Sequence, residues 1–264
     1  MRNVVVLVAI GVDAEGFRDV LGVCEGAKED PTSWEGFLRH LKQRGLTRVR
    51  LVISDKCLGR IEALGQVYPE ASWQRYIVHF YRTVFSVVPK GKVKEVATML
   101  KAIHAQEDRG EAQAKVTAVV AKLRAMKLAK AAERLAEGGD ETLTYYGFPR
   151  EQRRRIRTHH PLERILREIR RRTRAVGAFP DGQSALMLAA ARLRHVTGTR
   201  WGTRRYLDMD TTCNRGCAGV TYLKPHDLGW RSFDEAPLSE VVVLRHDRVP
   251  VVARRPRGGG QPHP

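Results

Sequence analysis

The chain has 264 residues, with 47 Lys and Arg against 29 Asp and Glu, a net charge of +18 and a sequence pI of about 10.3. Hydrophobic residues make up 42%, slightly under the roughly 45–50% of globular chains, which suffices for a buried core and excludes wholesale disorder. So basic a chain points to nucleic acid as its partner, with an anionic membrane surface second, and argues against a cationic or purely apolar one.

Cys24, Cys57, Cys213 and Cys217 are too few and too scattered for a disulfide framework. The apolar run Val4–Ile10 is short, and Asp13 and Glu15 stand where a leader peptide would need small residues. No stretch approaches the ~18 apolar residues of a membrane span. These features predict a reduced, cytoplasmic protein with no membrane partner.

Val4–Val12 is β-branched and bounded by a turn signal, and Arg18–Cys24 alternates, so the two predict a hairpin. Pro31 opens a helix with Trp34, Phe37, Leu38 and Leu41 at i, i+3, i+4 and i+7, closed by Gly45. Val49–Ser54 reads as a buried strand ending at Asp55, Leu58–Val67 as a short helix, and Ser72–Val78 as a further strand. Lys90–Tyr146 is helical in composition, with stripes at Val93, Val96, Leu100, Ile103 and at Val116, Val119, Val120, Leu123. From Phe148 the chain turns arginine-rich: Arg150–Arg174 holds eleven Arg and three Glu, a net +8 in 25 residues. A helix capped by Asp181 runs to about Val196. After Cys213 the pattern dissolves, and the ending RRPRGGGQPHP predicts disorder. The expected organisation is an α/β core over 1–89, a helical insertion over 90–147, the rest of the core over 148–207, and an unmatched, disordered tail over 208–264.

Asp55 stands at the C-terminal end of a buried strand, the edge of an open α/β sheet where ligands and metals bind, and a carboxylate there suits Mg²⁺. The competing reading is that Asp55 merely caps the next helix. Glu163 lies in HHPLERILREIRRRT, where Leu162, Ile165, Leu166 and Ile169 make one apolar stripe and Glu163, Arg167 and Arg170 fall along its flank. One carboxylate beside two guanidiniums suits a phosphate-handling edge. Equally, Glu163 is placed to complete a cap begun at His160 and to pair with Arg167. The arginine run is either a solvated face or a phosphate-binding one; the use of Arg, the amphipathic helix and the basic chain favour the latter. Cys213 and Cys217 with His226 could suggest zinc, but the spacing is loose and a second pair is missing, which favours a structural reading. His79, in QRYIVHF, has no partner visible by spacing and reads as structural.

Read in order, LVAIGVDAEGFRDVLGV, EDPTSWEGFLRHLKQRGL, VRLVISD, YPEASWQRYIVHF, VPKG, FPREQRRRI, HPLERILREIRRRTRAVGAFP and RRYL resemble the bacterial Mutator-type insertion-sequence transposases, a DDE family. The likeness runs from Val4 to Leu207. It implies an RNase H-like catalytic core with a helical insertion. Asp55 matches the second acidic residue of the family's triad and Glu163 the third, with Arg170 the basic residue seven positions on. The triad of the family binds two Mg²⁺ ions, so Asp55 and Glu163 are the expected catalytic and metal-binding residues. Arg164, Arg167, Arg170 and Arg171 are the expected DNA contacts. The implied partners are element ends and target DNA, with a homo-oligomer when the protein is intact, in the bacterial cytoplasm at the nucleoid.

The chain also departs from the family pattern. The first acidic residue of the family precedes the strand matching Val4–Val12, so the resemblance predicts a core with its first strand missing, an N-terminally truncated copy without strand-transfer activity. Tyr76 stands where the family has the Cys of a Cys-x2-His pair, leaving His79; KCLGR follows Asp55; and His160 replaces an Asn. The alternative is a non-catalytic DNA-binding relic that coats DNA or interferes with an intact transposase.

Overall fold

The structure is a computed structural model and describes residues 2–13, 15–26, 30–157, 160–176, 179–207 and 239–251. Strand β1 (Arg2–Asp13) and β2 (Arg18–Gly26) form the expected antiparallel hairpin, with Val8 opposite Val23 and a register shift at Ala9/Ile10. In its turn the Asp13 carboxylate accepts from the Glu15 and Phe17 amides at 3.0 and 2.8 Å. Gly16 takes φ +89°, the left-handed region that favours glycine.

Helix α1 (Pro31–Gln43) starts where Pro31 predicts. Asp30 caps it, accepting from the Ser33 amide at 2.9 Å, and Trp34, Phe37, Leu38 and Leu41 are buried as expected. Strand β3 (Leu51–Ser54) and helix α2 (Leu58–Val67) follow. Strand β4 (Ser72–Arg75) pairs parallel to β3. It is shorter than the Ser72–Val78 expected, because helix α3 (Ile77–Phe85) begins within that apolar run. Ile77, Phe80 and Val84 recur at helical spacing and bury one face.

The insertion contains α4 (Val93–Ile103), α5 (Arg109–Ala125) and α6 (Ala129–Gly138), then two 3-10 turns at Asp140–Thr142 and Thr144–Gly147. Its stripe residues Val96, Leu100, Ile103, Val116, Val119, Val120 and Leu123 are buried. Helices α7 (Arg150–Arg157), α8 (His160–Val176), α9 (Gly182–Thr197) and α10 (Arg200–Thr203) follow. Asp181 caps α9 as predicted, its carboxylate accepting from the Ser184 amide at 2.6 Å.

The end of this region straps back onto the hairpin turn. The Tyr206 and Leu207 amides donate to the Gly16 carbonyl, Arg205 donates to the Glu15 carbonyl at 2.9 Å, and Tyr206 donates to the Arg155 carbonyl at 3.0 Å. Arg18 lies between the Trp201 and Tyr206 rings, 4.7 and 4.6 Å from their centroids.

The largest departure from expectation concerns the tail. Strand β5 (Ser239–Val251) lies in the middle of the sheet, in the order β2-β1-β5-β3-β4. It runs antiparallel to β1, with Gly11 opposite Val242, and parallel to β3, with Val52 opposite Val242. The sequence predicted a core short of one strand and a disordered end; instead residues from the end of the chain fill the place between β1 and β3. The VVVL run at 241–244 was the available signal, masked by the charged RHDR that follows it.

The sheet is covered on both sides. Along β1, Val6, Val8, Ile10 and Val12 enter one core with the insertion and α8–α9, while Leu7 and Ala9 enter another with α1 and α2. On β3, Leu51 and Ile53 take the first side and Val52 the second. This is the period-two alternation of a strand buried on both faces. The fold is α/β, and the C-terminal end of β3 leads directly to Asp55.

Candidate functional site

Asp55 follows β3 directly. Its backbone is held in place: Ser54 Oγ donates to the Asp55 carbonyl at 3.1 Å, Trp73 Nε1 donates to Ser54 Oγ at 2.9 Å, and Arg60 Nη1 reaches the same carbonyl at 3.3 Å. Arg60 is only 1% exposed, and its guanidinium lies 4.1 Å over the Trp34 ring. Such a cation–π contact in a desolvated setting is worth about 2 kcal/mol. The residue capping α2 is Cys57, with no side-chain cap bond, so Asp55 is not the helix cap that sequence alone left open.

Helix α3 links the two predicted carboxylates. His79 Nδ1 lies 3.3 Å from Asp55 Oδ1, and Arg82 Nη2 lies 3.9 Å from Glu163 Oε1. His79 and Arg82 are three residues apart on one helix, so they share a face with about 5–6 Å between Cβ atoms. Both carboxylates are mostly shielded, with side chains 14% and 16% exposed. The reading of His79 as a merely structural histidine therefore changes: it stands at the Asp55 carboxylate. The sequence hid this because the partner is on another element and α3 was read as strand.

Two more cations border the site. Lys56 and Arg75 both pair with Glu141 of the insertion, Arg75 at 3.1 Å. Gly138 leaves room for Arg75, since a Cβ there would meet Arg75 Nη1. Thr144 donates to the Trp73 carbonyl at 2.9 Å. The end of the insertion is thus fastened to the strand ends beside Asp55.

On α8, Ile165, Leu166 and Ile169 are buried, and Arg167, Arg170 and Arg171 are exposed. Arg171 and Arg172 both bind Glu168, and these hydrogen bonds hold the Glu168 carboxyl down to about 2. Arg192 of α9 joins them at 3.2 Å. Arg171 therefore serves a charge network on the helix, whereas Glu163 makes its ion pair across the fold with Arg82. The side chains of Arg164 and Leu162, and all of Cys213, Cys217 and His226, lie outside the described residues. Among the described residues, no group of three or more His, Cys, Asp or Glu is placed to hold a metal ion, and no helix is long and apolar enough to cross a membrane.

Fold and site together define an α/β protein in which one helix, α3, carries the ion-pair partners of two shielded carboxylates, one following a sheet strand and one on a strongly basic helix. The profile of the Mutator transposase family matches residues 1–201. The chain belongs to that family. It is 36% identical over 206 residues to the transposase for insertion sequence element ISRM5 of Rhizobium meliloti, covering 78% of this chain and 51% of that protein. It is 37% identical over 204 residues to the IS1081 transposase of Mycobacterium tuberculosis, covering 77% and 49%. It is 31% identical over 206 residues to the IS256 transposase of transposon Tn4001 from Staphylococcus aureus, covering 77% and 52%. The chain spans about half the length of these relatives.

Proposed function

We propose that this chain is a catalytic core for DNA transposition, with an RNase H-like fold, in which Asp55 and Glu163 serve phosphodiester cleavage and transfer of the DDE type. The observation that carries this reading is the bridging by α3: His79 on Asp55 and Arg82 on Glu163 tie the two carboxylates to one helix face. The donor set fits Mg²⁺, a hard cation that takes one or two carboxylates and completes its shell with water and substrate phosphates. Asp55 and Glu163 would hold it. When bound, Mg²⁺ acidifies the attacking water or hydroxyl and stabilises the leaving oxygen, and the two-ion scheme of the resemblance belongs to this proposal.

The protein groups have separable tasks. Arg60 and Ser54 fix the Asp55 backbone, and His79 orients its carboxylate. Arg82 holds Glu163 toward the same place. Arg167 and Arg170, exposed on α8, meet the phosphates of element-end or target DNA. Homo-oligomer assembly on that DNA, in the cytoplasm at the nucleoid, is part of the same reading.

The test has two readouts. Wild type is expected to bind Mn²⁺, used as a Mg²⁺ probe, in a calorimetric titration, and Asp55→Asn or Glu163→Gln to bind it at least tenfold more weakly, the cost of removing one charged ligand being roughly 1.4 kcal/mol or more. Equal binding by all three proteins refutes the site. Cleavage of element-end DNA with Mg²⁺ is the second readout. A non-catalytic DNA-binding role is favoured by the absence, among the described residues, of a third metal-binding side chain at the pair. On that reading this chain alone transfers no strand, and its DNA binding survives Asp55→Asn but weakens with Arg167→Ala and Arg170→Ala. Cleavage abolished by Asp55→Asn would overturn it.

A further inference from the structure

A second basic feature lies away from the carboxylate pair, where α7 faces the connection between α4 and α5. Arg150, Arg153, Arg154 and Arg157 stand at i, i+3, i+4 and i+7 on α7 and line a cavity of about 280 Å³. That spacing usually marks an apolar stripe turned to a core. Here it is four guanidiniums turned to a cleft, while Gln152 and Ile156 supply the buried side of the helix.

The opposite wall is His104 to Glu107. Glu107 is the one carboxylate lining the cleft, and it pairs with Arg150 at 3.3 Å with both side chains about three-quarters exposed. An ion pair so exposed contributes about 0–1 kcal/mol, so it is readily exchanged for a better anion. His104 is buried, and desolvation keeps its imidazole neutral, down to about 3. The lining is therefore four positive charges against one negative.

Two of the arginines are built into the wall. Arg153 donates to the Phe148 carbonyl at 2.8 Å and the Glu107 carbonyl at 2.9 Å and lies over the Tyr146 ring. Arg157 donates to the His104 carbonyl. Arg150 and Arg154 are exposed at the rim. Tyr145 and Tyr146 stack on each other beneath and are buried, so the cleft offers charge and no open ring face to a base.

We propose that this cleft binds the sugar-phosphate backbone of the DNA strand on which the Asp55–Glu163 pair acts, as a sequence-independent phosphate clamp. The proposal rests on the DNA-directed function above. Seven helical steps carry Arg150 to Arg157 along about 10 Å, which matches roughly three phosphates at ~3.4 Å of helix axis per charge on one strand. The position fits as well. Glu141, which pairs with Lys56 next to Asp55, and Tyr145, which lines the cleft, belong to consecutive 3-10 turns. Glu163 follows α7 by six residues.

The test is fluorescence anisotropy of the full chain with labelled duplex DNA, from about 50 to about 200 mM salt. Arg150→Gln with Arg154→Gln removes two charges at the rim and keeps Arg153 and Arg157 with their bonds to backbone carbonyls. Arg39→Gln, an exposed charge change on α1, is the control. For the double variant the slope of log K against log salt should fall by about 1.8, near 0.9 per lost contact, with at least a tenfold loss of affinity at low salt. Arg150→Lys with Arg154→Lys should restore the slope. A double variant indistinguishable from Arg39→Gln overturns the clamp while leaving the DNA reading standing. A wild-type chain with no salt-dependent DNA binding overturns both. Inorganic phosphate exchanged for chloride at constant ionic strength separates the sources: if it raises Tm in wild type only, while the double variant binds DNA normally, the cleft is a free-anion site and the DNA assignment is wrong.

Discussion

His104 makes the stability of this protein depend on pH in a window set by one buried ring. The imidazole is 5% exposed and lies among Tyr81, Tyr145 and Thr142, with Nδ1 3.3 Å from the Tyr145 hydroxyl. Burial first, and the Arg157 charge second, depress its pKa from 6.5 to about 3. In the unfolded chain the ring takes up a proton below pH 6.5, whereas in the folded protein it does so only near pH 3. Unfolding therefore binds a proton throughout that interval, and stability falls as pH drops through it, at up to 1.36 kcal/mol per pH unit. Above pH 6.5 the contribution is fully present. At about pH 5 the loss is roughly 2 kcal/mol, a large part of the ~5–15 kcal/mol of a typical domain. The depressed carboxyls of Glu168, Asp30 and Asp181 act in a lower window, from the usual carboxylate range downward, because there the unfolded chain takes up their protons while the folded protein does not. Urea unfolding followed by tryptophan fluorescence from about pH 7 to about pH 5 measures the effect. Wild type should lose roughly 2 kcal/mol relative to His104→Gln across that range, although the variant starts lower at neutral pH. Parallel pH profiles for the two proteins would refute the argument.

Three further outcomes test the fold around the site. Val242→Pro puts a proline inside β5, where the residue faces Gly11 on one side and Val52 on the other. Leaving a ladder partner unsatisfied costs about 1–3 kcal/mol, so Tm should fall by several degrees, and an unchanged Tm would show that β5 is not in the sheet. Gly16→Ala should cost about 1–3 kcal/mol, because φ is +89° and a Cβ would run into the Leu207 carbonyl; chemical denaturation reads it. Arg60→Ala should lower stability by about 2 kcal/mol or more and weaken Mn²⁺ binding by releasing the Asp55 backbone, whereas Arg60→Lys restores neither the flat stacking on Trp34 nor the reach of the guanidinium to Asp55.

Local chemistry fixed much of this protein in advance. Proline and aspartate at helix starts, glycine at φ > 0, and apolar residues at three- and four-residue spacing set α1, α2 and α9 from neighbouring residues alone. The charge of +18 and its arginine-rich stretch likewise follow from composition, and the family was legible because its blocks fall in order. Tertiary structure decided what depends on distant partners. The face of His79 is settled by where α3 begins, and that start depends on which residues the core buries. The pairing of Glu163 with Arg82 needs two helices far apart in sequence to meet in space, which no local period encodes. A central strand is the extreme case. The VVVL of β5 has strand character by itself, but its place between β1 and β3 comes from hydrogen bonds to segments at the other end of the chain, and backbone ladders carry no residue code. The sequence thus singled out both carboxylates, and only packing gave each its partner on α3.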